Sequence, residues 1–596
     1  MNADQTGAAG LREVLYEPDD IPPTPVAAGI ALQFVGLCIG GIVLGVAIIL
    51  DAGGQTGDYR AWAVFAALVV SGISTIVQSQ RFGQFGAGHV LLMGTSGAFI
   101  AASVQALTAG GPALLATLVV ISALFQFGLA TRLSTLRSVI TPTVSGIVIM
   151  LISVTVLPIG FDMLSSPVEG TPGWGVPVTG IVTLVVTVAA GLLATGRWRL
   201  WSPVLGMLAG SAVGATAGIY DTGLIASADW VGLPPLAWPG LDLGFGPEFW
   251  FLLPMFVLVT LVGAVETVGD SVVIQQVSRK KAGPTDYRVV QGAVAADGLG
   301  NLLSGLAATA PNTTYSSSPA LVELTGVGAR RVGVWIGGVL IGLSLFPKFA
   351  AVILAMPGAV VGAYLIVLMA LLFVLGIRIA LSDGVTSQKA LLIGIAFWLG
   401  SGFQNGQIFA DLIPASLQGL LGNGMTSGGL AAVAMTLFIQ VFRPRARVLR
   451  TRLNAAAVTE IEQFLRAFAV KRQWSADGAN RLCAAAEETV LSLVTADAPG
   501  GSLEREGTEA ERDLRLQVRG GGNRAVLEFA ATSDSNNLEE RLAINDLQGG
   551  ARISADSISI RLLGHYASSV RHQKYFDTDI VTVIVDGDKA SGRVAA

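Results

Sequence analysis

Residues 310–324 read Ala310-PNTTYSSSPALVE-Leu324 and decide the fold of this chain. Within residues 311–319 there are two prolines, one asparagine and five serines or threonines, although apolar runs precede and follow them. Irregular backbone is tolerated at membrane depth only where it is buried in protein or lines a cavity. The stretch therefore predicts a transmembrane helix that is broken beside a binding cavity.

The first half of the chain contains a stretch of the same kind, His89-VLLMGTSGAFIAA-Ser103, with glycine and hydroxyl residues at its centre. Matching breaks in the two halves of a transporter point to a binding site near the middle of the membrane. The alternative is that small and hydroxyl residues only let helices pack closely. For this first stretch both interpretations stay open.

The composition is that of a membrane protein with a soluble part attached. The 596 residues are 52% hydrophobic and 13% charged, with a net charge of −4, whereas soluble domains carry about 25% charged residues. Residues 25–440 hold 15 basic and 15 acidic residues, and the much shorter segment 441–596 holds 21 of each. These values exclude a disordered chain and an ordinary soluble enzyme, and they do not indicate a nucleic-acid partner. We divide the chain into a cytoplasmic N-terminal segment (residues 1–24), a transmembrane domain (25–445) and a soluble α/β domain (446–596).

Apolar runs predict fourteen transmembrane spans. The runs begin near Val26, Ala61, His89, Ala113, Val139, Val178, Ser202, Phe249, Val290, Thr314, Val332, Ala350, Ala390 and Ala431. With the N-terminus inside, 13 of the 15 basic residues in residues 25–440 fall on the cytoplasmic side, and only Arg60 and Lys348 lie outside. Because Lys and Arg concentrate in cytoplasmic loops, both termini are predicted to be cytoplasmic.

The fourteen spans divide into two sets of seven. An odd number of spans places the two sets in opposite orientations, as an inverted repeat requires. The predicted fold is therefore an α-helical polytopic membrane protein with a 7+7 inverted repeat, followed by a cytoplasmic α/β domain.

Acidic side chains inside the spans are the first candidates for function, because a charge at membrane depth is costly. Glu266 lies deepest, and it could carry a proton or accept hydrogen bonds from the N–H groups of a ligand. Asp270 follows one helical turn later and shares its face. Asp297 lies in the ninth span.

Structural roles remain open for three acidic residues. Asp270 could be a helix-end residue that faces the basic run 279–281, and Asp297 could cap or brace the tenth span. Glu323 is expected to form a salt bridge with Arg330 or Arg331 at the cytoplasmic end of its span.

Five segments, in order, resemble the nucleobase–cation symporter-2 family, the nucleobase/ascorbate transporters. The segments are Leu15-YEPDDIP-Pro23 with the Gly29-IALQ-Phe34 that follows it, Gly94-TSGA-Phe99, Val265-ETVGDSVVIQQVSR-Lys280, Val290-QGAVAADGLGNLLSG-Leu306 and Asn312-TTYSSSPALVELTGVGARRV-Gly333. The resemblance covers roughly residues 12–445. It implies a core domain (spans 1–4 and 8–11), a gate domain (spans 5–7 and 12–14), a homodimer built through the gate domains, and elevator-like movement of the core.

The resemblance also implies roles for individual residues. Glu266 falls on the family's glutamate that hydrogen-bonds the base, Ser317 on its Gln or Glu, and Ser318 on its Asn. Backbone N–H groups near residues 316–318 and 97–99 should face the ligand. The implied substrate-binding residues are Glu266, Ser316, Ser317, Ser318, Tyr315, Gly97, Ala98, Phe99 and Gln33. The implied residues for proton or cation coupling are Glu266, Asp270 and Asp297. No metal ligand, catalytic residue or cofactor is implied.

Three positions depart from the family pattern. Gln33 precedes Phe34 where the family often has Gln-His, Gly97 replaces an aromatic residue, and Ser317 replaces a long amide or carboxylate. A site discriminates against a wrong ligand by leaving its own polar groups unpaired. With Ser317 in place of the longer side chain, that discrimination must be weaker or of a different kind, so the substrate stays open.

The C-terminal segment predicts an α/β unit. Amphipathic helices are expected from Ala455 and Ala479, strands around the turn at Gly520, and a helix that leads into a last hairpin after Ser557. This order resembles the ATPase fold of anti-sigma-factor kinases and histidine kinases. The magnesium-holding Asn and the phosphate loops of that family are missing, so the domain is predicted to be degenerate, with a role in dimerisation, regulation or partner binding.

The function predicted is therefore secondary active transport and not enzymatic catalysis. The substrate expected is a nucleobase, a purine such as xanthine or uric acid, or uracil, taken up across the cell membrane with H⁺ or Na⁺. Two alternatives remain: transport of another small anion or polar metabolite on the same scaffold, and a transporter-like sensor that signals through its cytoplasmic domain.

Overall fold

The computed structural model divides the chain into two compact units, one of residues 1–281 and 289–439 and the other of residues 282–288 and 440–596. The described residues are 14–133, 141–168, 170–195, 197–280, 285–381, 384, 386–409, 413–414, 421–442, 446–454, 456–495, 512–521, 524–531, 538, 562–576 and 578–587.

The first unit is helical, and two short strands interrupt its helices. Its first half contains α1 (Thr24–Ala52), α2 (Asp58–Gln80), β1 (Met93–Thr95), a 3₁₀ turn (Gly97–Phe99), α3 (Ile100–Thr131), α4 (Pro142–Ser165), α5 (Gly175–Leu193), α6 (Arg197–Leu200), α7 (Ser202–Thr216) and α8 (Thr222–Ser227). Its second half contains α9 (Pro247–Val277), α10 (Tyr287–Leu306), β2 (Asn312–Thr314), α11 (Ser317–Thr325), α12 (Arg330–Ser344), α13 (Pro347–Leu354), α14 (Gly358–Leu381), α15 (Ser387–Gln404) and α16 (Gly424–Phe442).

The predicted breaks are present in both halves, and they pair with each other. Strand β1 runs antiparallel to β2, with Gly94 opposite Thr313 and Thr95 opposite Asn312. All six residues of the two strands are buried. One residue follows β1 and two follow β2 before a helical segment begins. Because the strands are antiparallel, the two helix starts lie at opposite ends of the strand pair.

Helix α3 covers parts of two predicted spans. Gly111 interrupts it with non-helical angles, φ 76° and ψ −169°, a conformation that glycine adopts without steric cost. The helix resumes at Pro112, next to the predicted start of the fourth span at Ala113.

The predicted onset of the twelfth span near Ala350 is wrong. That residue lies in α13, which is only eight residues long and is bent by 85° from α12. The next long apolar helix, α14, begins at Gly358, directly after Pro357. Proline has no N–H and clashes with the preceding turn, so it separates the two helices.

Among the described residues, seven helices are long and apolar enough to cross a membrane, or eight if the bent pair α12–α13 is one span. This establishes a polytopic helical membrane protein. The count of fourteen spans stays a prediction.

Helices α4 and α14 pack at backbone contact through glycine. A Cβ built on Gly146 would clash with the backbone N of Ala380 and with the carbonyl O of Gly376. Small residues at such positions let membrane helices approach closely.

The N-terminal segment is held against the start of α12. Tyr16 forms a parallel bridge with Val327, and Gly328 N–H donates to the Tyr16 carbonyl at 2.8 Å. Arg330 pairs with Asp19 at 3.0 Å, and it donates from Nε to the Gly88 carbonyl at 2.8 Å.

Glu323 does not form the expected salt bridge with Arg330 or Arg331. Arg330 uses Asp19, and Arg331 donates to the Thr24 hydroxyl at 2.9 Å. The N-terminal segment, distant in sequence, provides nearer acceptors, and Glu323 is exposed.

The second unit is an antiparallel sheet with helices. The strand order is β3-β4-β5-β7-β6. Its elements are β3 (Arg447–Arg452), α17 (Ala457–Lys471), α18 (Ala476–Thr495), β4 (Asp513–Gly521), β5 (Arg524–Ala531), β6 (Ser569–Lys574) and β7 (Asp579–Asp586). Leu465 and Phe468 of α17 share one buried core with Leu527 and Phe529 of β5.

Both helices, the hairpin at Gly520 and the last hairpin lie where the sequence pattern predicts them. Strand β3 was missed, because three of its six residues are Arg and its sequence shows little hydrophobic contrast. The segments 533–537, 539–542 and 557–561, from which the missing phosphate loops were inferred, lie outside the described residues.

Candidate functional site

Glu266 lies on α9 beside the paired strands. Its side chain is half-buried, and the Ser316 hydroxyl, two residues after β2, lies near the carboxyls of both Glu266 and Asp270. The serine sits directly before the first residue of α11 and is exposed. The predicted ligand group of α9 therefore faces the broken segment of the second half.

Asp270 points toward β2 and not toward the basic run 279–281. It is 7% exposed, and its Oδ2 accepts a hydrogen bond of 2.7 Å from the Thr314 hydroxyl. The alternative role as a helix-end residue facing that run is therefore wrong, because a buried carboxylate needs donors close by, and β2 provides one.

Asp297 on α10 is fully buried. Its Oδ2 accepts from Gln126 Nε2 at 2.6 Å and from the Thr267 hydroxyl at 2.9 Å. Both donors come from other helices, α3 and α9, so the aspartate joins three helices of the unit. These contacts do not include the tenth span, which the bracing alternative had named.

A chain of side-chain amides connects Asp297 to strand β2. Gln126 Oε1 accepts from Asn301 Nδ2 at 3.0 Å, and Asn301 Oδ1 accepts from the backbone N–H of Asn312 at 2.8 Å. Each group is buried and uses both its donor and its acceptor. The position of β2 is therefore tied to the group that holds the aspartate.

The three serines of the tenth segment have different surroundings. Ser316 faces the carboxyls of α9. The Ser317 hydroxyl lies 3.6 Å from the sulfur of Cys38 on α1. Ser318 is buried, and its hydroxyl accepts from Leu92 N–H at 3.0 Å.

The backbone at Ser318 differs from the expectation. Its N–H donates to the Tyr315 carbonyl at 2.9 Å, so it is used inside the turn and does not face a ligand. The first N–H groups of a helix have no partner within the helix, and at α11 these begin at Ser317.

The corresponding turn of the first half is lined by apolar groups. Phe99 is buried, with its ring centroid 6.1 Å from that of Phe256. A Cβ built on Gly97 would lie 3.6 Å from Leu368 Cδ2 on α14, and Ala98 is buried. The absent aromatic side chain at position 97 therefore leaves an apolar boundary between this turn and α14.

Tyr315 closes the side of the site next to α1. Its hydroxyl donates to the Thr95 carbonyl at 3.2 Å, which links β2 back to β1. A Cβ built on Gly41 would lie 3.3 Å from this hydroxyl and 3.4 Å from that of Tyr364 on α14.

None of the described contacts joins Gln33 to the residues of this site. It lies on α1, five residues before Cys38, and is half-buried. Its predicted role in binding stays a prediction.

Sequence reasoning did not identify five residues of the site: Thr267, Thr314, Gln126, Asn301 and Tyr364. The first four form the hydrogen bonds around the two aspartates. Gln126 could have been identified from the sequence, because it is a polar residue inside the apolar run Leu124-FQF-Gly128.

The site offers polar groups that can bind a small polar ligand. Carboxylate acceptors come from α9, and backbone donors come from helix starts that carry partial positive charge. The described residues contain no cluster of three or more His, Cys, Asp or Glu suited to a metal ion. Buried carboxyls beside two broken helices in a polytopic membrane protein define the class as a membrane transporter.

The family is given by comparison with known proteins. Residues 27–409 match the permease family designated Xan_ur_permease. The chain belongs to this family, which confirms the resemblance seen in its segments and the prediction that it is a transporter and not an enzyme.

Known proteins similar to this chain include two permeases. It is 27% identical to the xanthine permease XanP of Escherichia coli strain K12, over 73% of this chain and 96% of that protein. It is 27% identical to the nucleobase transporter PlUacP of Paenibacillus larvae, over 69% of this chain and 93% of that protein. Among solved structures, the transmembrane domain of a cyanobacterial bicarbonate transporter, BicA, is similar with a TM-score of 0.41 and 16% identity, over 71% of this chain and 99% of that chain.

Proposed function

We propose that the protein is a secondary active transporter that takes up a nucleobase, a purine such as xanthine or uric acid, or uracil, together with H⁺ or Na⁺. The observation that carries the proposal is the Glu266 carboxyl beside Ser316, at the start of the helix that follows the broken segment. The names of XanP and PlUacP support the substrate class.

A planar base offers N–H donors on one edge and carbonyl acceptors on another. The Glu266 carboxyl would accept from ring N–H groups, and the N–H groups at the start of α11 would donate to a carbonyl oxygen. Phe99, held by Phe256, would form an apolar wall of the site.

Coupling follows from the three acidic side chains. Glu266, Asp270 and Asp297 lie close enough to influence one another. Three negative charges at membrane depth are unfavourable, so binding of a proton or cation would accompany binding of the substrate. We assign the coupling role to this group.

The movement would be of the elevator type. The core would comprise the first four spans of each half, which carry β1, β2, α9 and α10, and the remaining spans would form a gate. Apolar neighbours such as Leu368, which lies 3.6 Å from the position that a Cβ on Gly97 would take, offer few hydrogen bonds to break when one domain moves along the other. We further propose fourteen spans in a 7+7 inverted repeat, a homodimer in the cell membrane, and cytoplasmic termini with a degenerate ATPase-like domain at the C-terminal end.

One observation favours a second candidate, a transporter of another small anion or polar metabolite. The Ser317 side chain is short and lies against Cys38. Similar transporters carry a long amide or carboxylate at this position, and here no such group is available to hydrogen-bond the edge of a base. A smaller ligand would then depend on Glu266, Ser316 and backbone donors alone.

Purified protein in proteoliposomes tests the proposal. Xanthine, uric acid and uracil are screened against bicarbonate and sulfate by thermal shift, because a ligand that binds the folded state raises its stability. Uptake of each stabilising compound is then measured with an imposed proton or sodium gradient. We expect stabilisation and gradient-driven uptake for at least one base. Stabilisation by the anions alone would replace the first candidate with the second.

A further inference from the structure

Four side chains form a continuous hydrogen-bonded chain through the centre of the transmembrane unit. Asp297 Oδ2 is 2.9 Å from Thr267 Oγ1, this hydroxyl is 3.2 Å from Thr314 Oγ1, and Thr314 Oγ1 is 2.7 Å from Asp270 Oδ2. Both threonines and Asp297 have no exposed area, and Asp270 is 7% exposed. The chain connects α10, α9 and β2.

The number of protons needed by this chain exceeds the number that its hydroxyls supply. Three hydrogen bonds join the four groups, and each requires one proton between its two oxygens. The two threonines contribute one O–H each, and an ionised carboxylate only accepts. All three bonds are therefore made only when one of the two aspartates carries a proton.

We propose that Asp270, Thr314, Thr267 and Asp297 form a proton wire that stores one proton and passes it between the two carboxyls during transport. This inference rests on the proposed transport function and assigns Thr267 and Thr314 a role in proton coupling.

The transfer step is balanced. With the proton on Asp270, that carboxyl donates to Thr314 Oγ1, Thr314 donates to Thr267 Oγ1, and Thr267 donates to the Asp297 carboxylate. When each hydroxyl passes its proton to the next oxygen, Asp297 gains one proton and Asp270 loses one. Two O–H bonds of the threonines are broken and reformed, the total charge is unchanged, and no other reactant is needed.

The surroundings favour movement of the proton at both ends. Gln126 donates to Asp297 whichever aspartate carries the proton, and Asp297 Oδ1 has no partner among the described residues. At the other end Ser316 lies within reach of Asp270 and Glu266, but it has only one O–H to donate. The titratable groups that face one another here are Glu266, Asp270 and Asp297.

These contacts explain how ligand binding would move the proton. A ligand N–H that binds Glu266 would leave the nearby Ser316 hydroxyl free to donate to Asp270. This additional bond stabilises the ionised form of Asp270, so the proton shifts along the wire to Asp297. Substrate occupancy is thereby converted into a change of protonation on a different helix.

The transport test uses Thr267→Val and Thr314→Val, which keep the shape of the side chain and remove the O–H. Serine at either position keeps the hydroxyl and should restore coupling. Thr260→Val is the matched control, because Thr260 is a buried threonine on α9 whose hydroxyl has no partner among the described residues. Substrate exchange at equal concentrations is compared with accumulation driven by a proton gradient.

In both valine variants we expect the ratio of proton-driven accumulation to substrate exchange to fall by roughly 10- to 100-fold, the range over which a positioned proton-transfer group acts. The serine variants and Thr260→Val should accumulate normally. Full accumulation by both valine variants, or equal loss of exchange and accumulation, would contradict the wire.

A second measurement does not depend on the substrate. Infrared spectroscopy of the ligand-free protein detects the C=O band of a protonated carboxyl. In Asp270→Asn the amide NH₂ supplies the third proton of the chain, so Asp297 is left ionised and the band should be lost. A band that survives in Asp270→Asn shows that the proton belongs to another residue alone, which overturns the wire. If wild type transports no nucleobase, the proposed function fails, and this result still decides the inference.

Discussion

Gly94 of β1 lies directly against the ring of Tyr315: a Cβ built on the glycine would be 2.6 Å from Cζ of the tyrosine and 2.8 Å from Cγ1 of Ile42. No side chain other than hydrogen fits between α1 and β2 at this point. The pairing of the two broken segments therefore depends on a residue without a Cβ.

Gly94→Ala should destabilise the protein by about 1–3 kcal/mol, the usual cost of overpacking a tight core. Gly97→Ala is the matched control, because its nearest neighbour would be 3.6 Å away, an ordinary contact distance. Thermal unfolding in detergent should show a clear fall in Tm for Gly94→Ala only. Equal Tm values for the two variants would mean that β1 moves away from Tyr315 at little cost.

Glu266→Gln should impair transport most among three single substitutions. The change replaces one acceptor oxygen with an NH₂ donor, so a ligand N–H meets a donor and is left unpaired. The expected cost is about 1–3 kcal/mol, or roughly 5- to 150-fold in affinity. If Glu266 also carries the coupling proton, accumulation should be lost while some exchange remains.

Ser317→Ala should cost less, because the hydroxyl that it removes lies against Cys38. Glu323→Gln should be nearly neutral, since this side chain is exposed. Radiolabelled uptake in cells with matched expression checks the order. Wild-type uptake by Glu266→Gln would remove this residue from the site.

Both termini should lie in the cytoplasm. The expectation rests on 13 of the 15 basic residues of residues 25–440 falling on one side of the predicted spans. Reporters that are active only inside or only outside the membrane, fused after Ala596, provide the measurement. An external reporter that is active there would rule out the fourteen-span arrangement.

Magnesium ATP should not bind the C-terminal unit. The position expected to hold the magnesium-binding Asn falls near Leu491 and Ser492 on α18, and neither side chain is a magnesium ligand. The purified full-length protein should therefore show the same Tm with and without Mg·ATP, because only a bound ligand raises stability. Micromolar affinity measured by calorimetry would contradict this expectation.

Much of the fold could be predicted from the composition of short segments. Long apolar runs, the two polar breaks and the deep position of Glu266 are properties of short segments, and the structure contains both breaks. The bend of 85° between α12 and α13 was missed because hydropathy alone does not register a change of helix direction. The roles of the serines could not be predicted either, since the partner of Ser318 is 226 positions away at Leu92.

The sequence by itself determined that this chain enters a membrane, that its helices break at two places and that acidic groups lie among its spans, because the free energy of placing each segment in lipid depends on its own side chains. Only the tertiary structure decided which polar groups meet. Gln126 and Asp297 are 171 positions apart, and a hydrogen bond between them exists only after the two halves have packed together. Packing joined the acids through two threonines, and no local pattern encodes that connection.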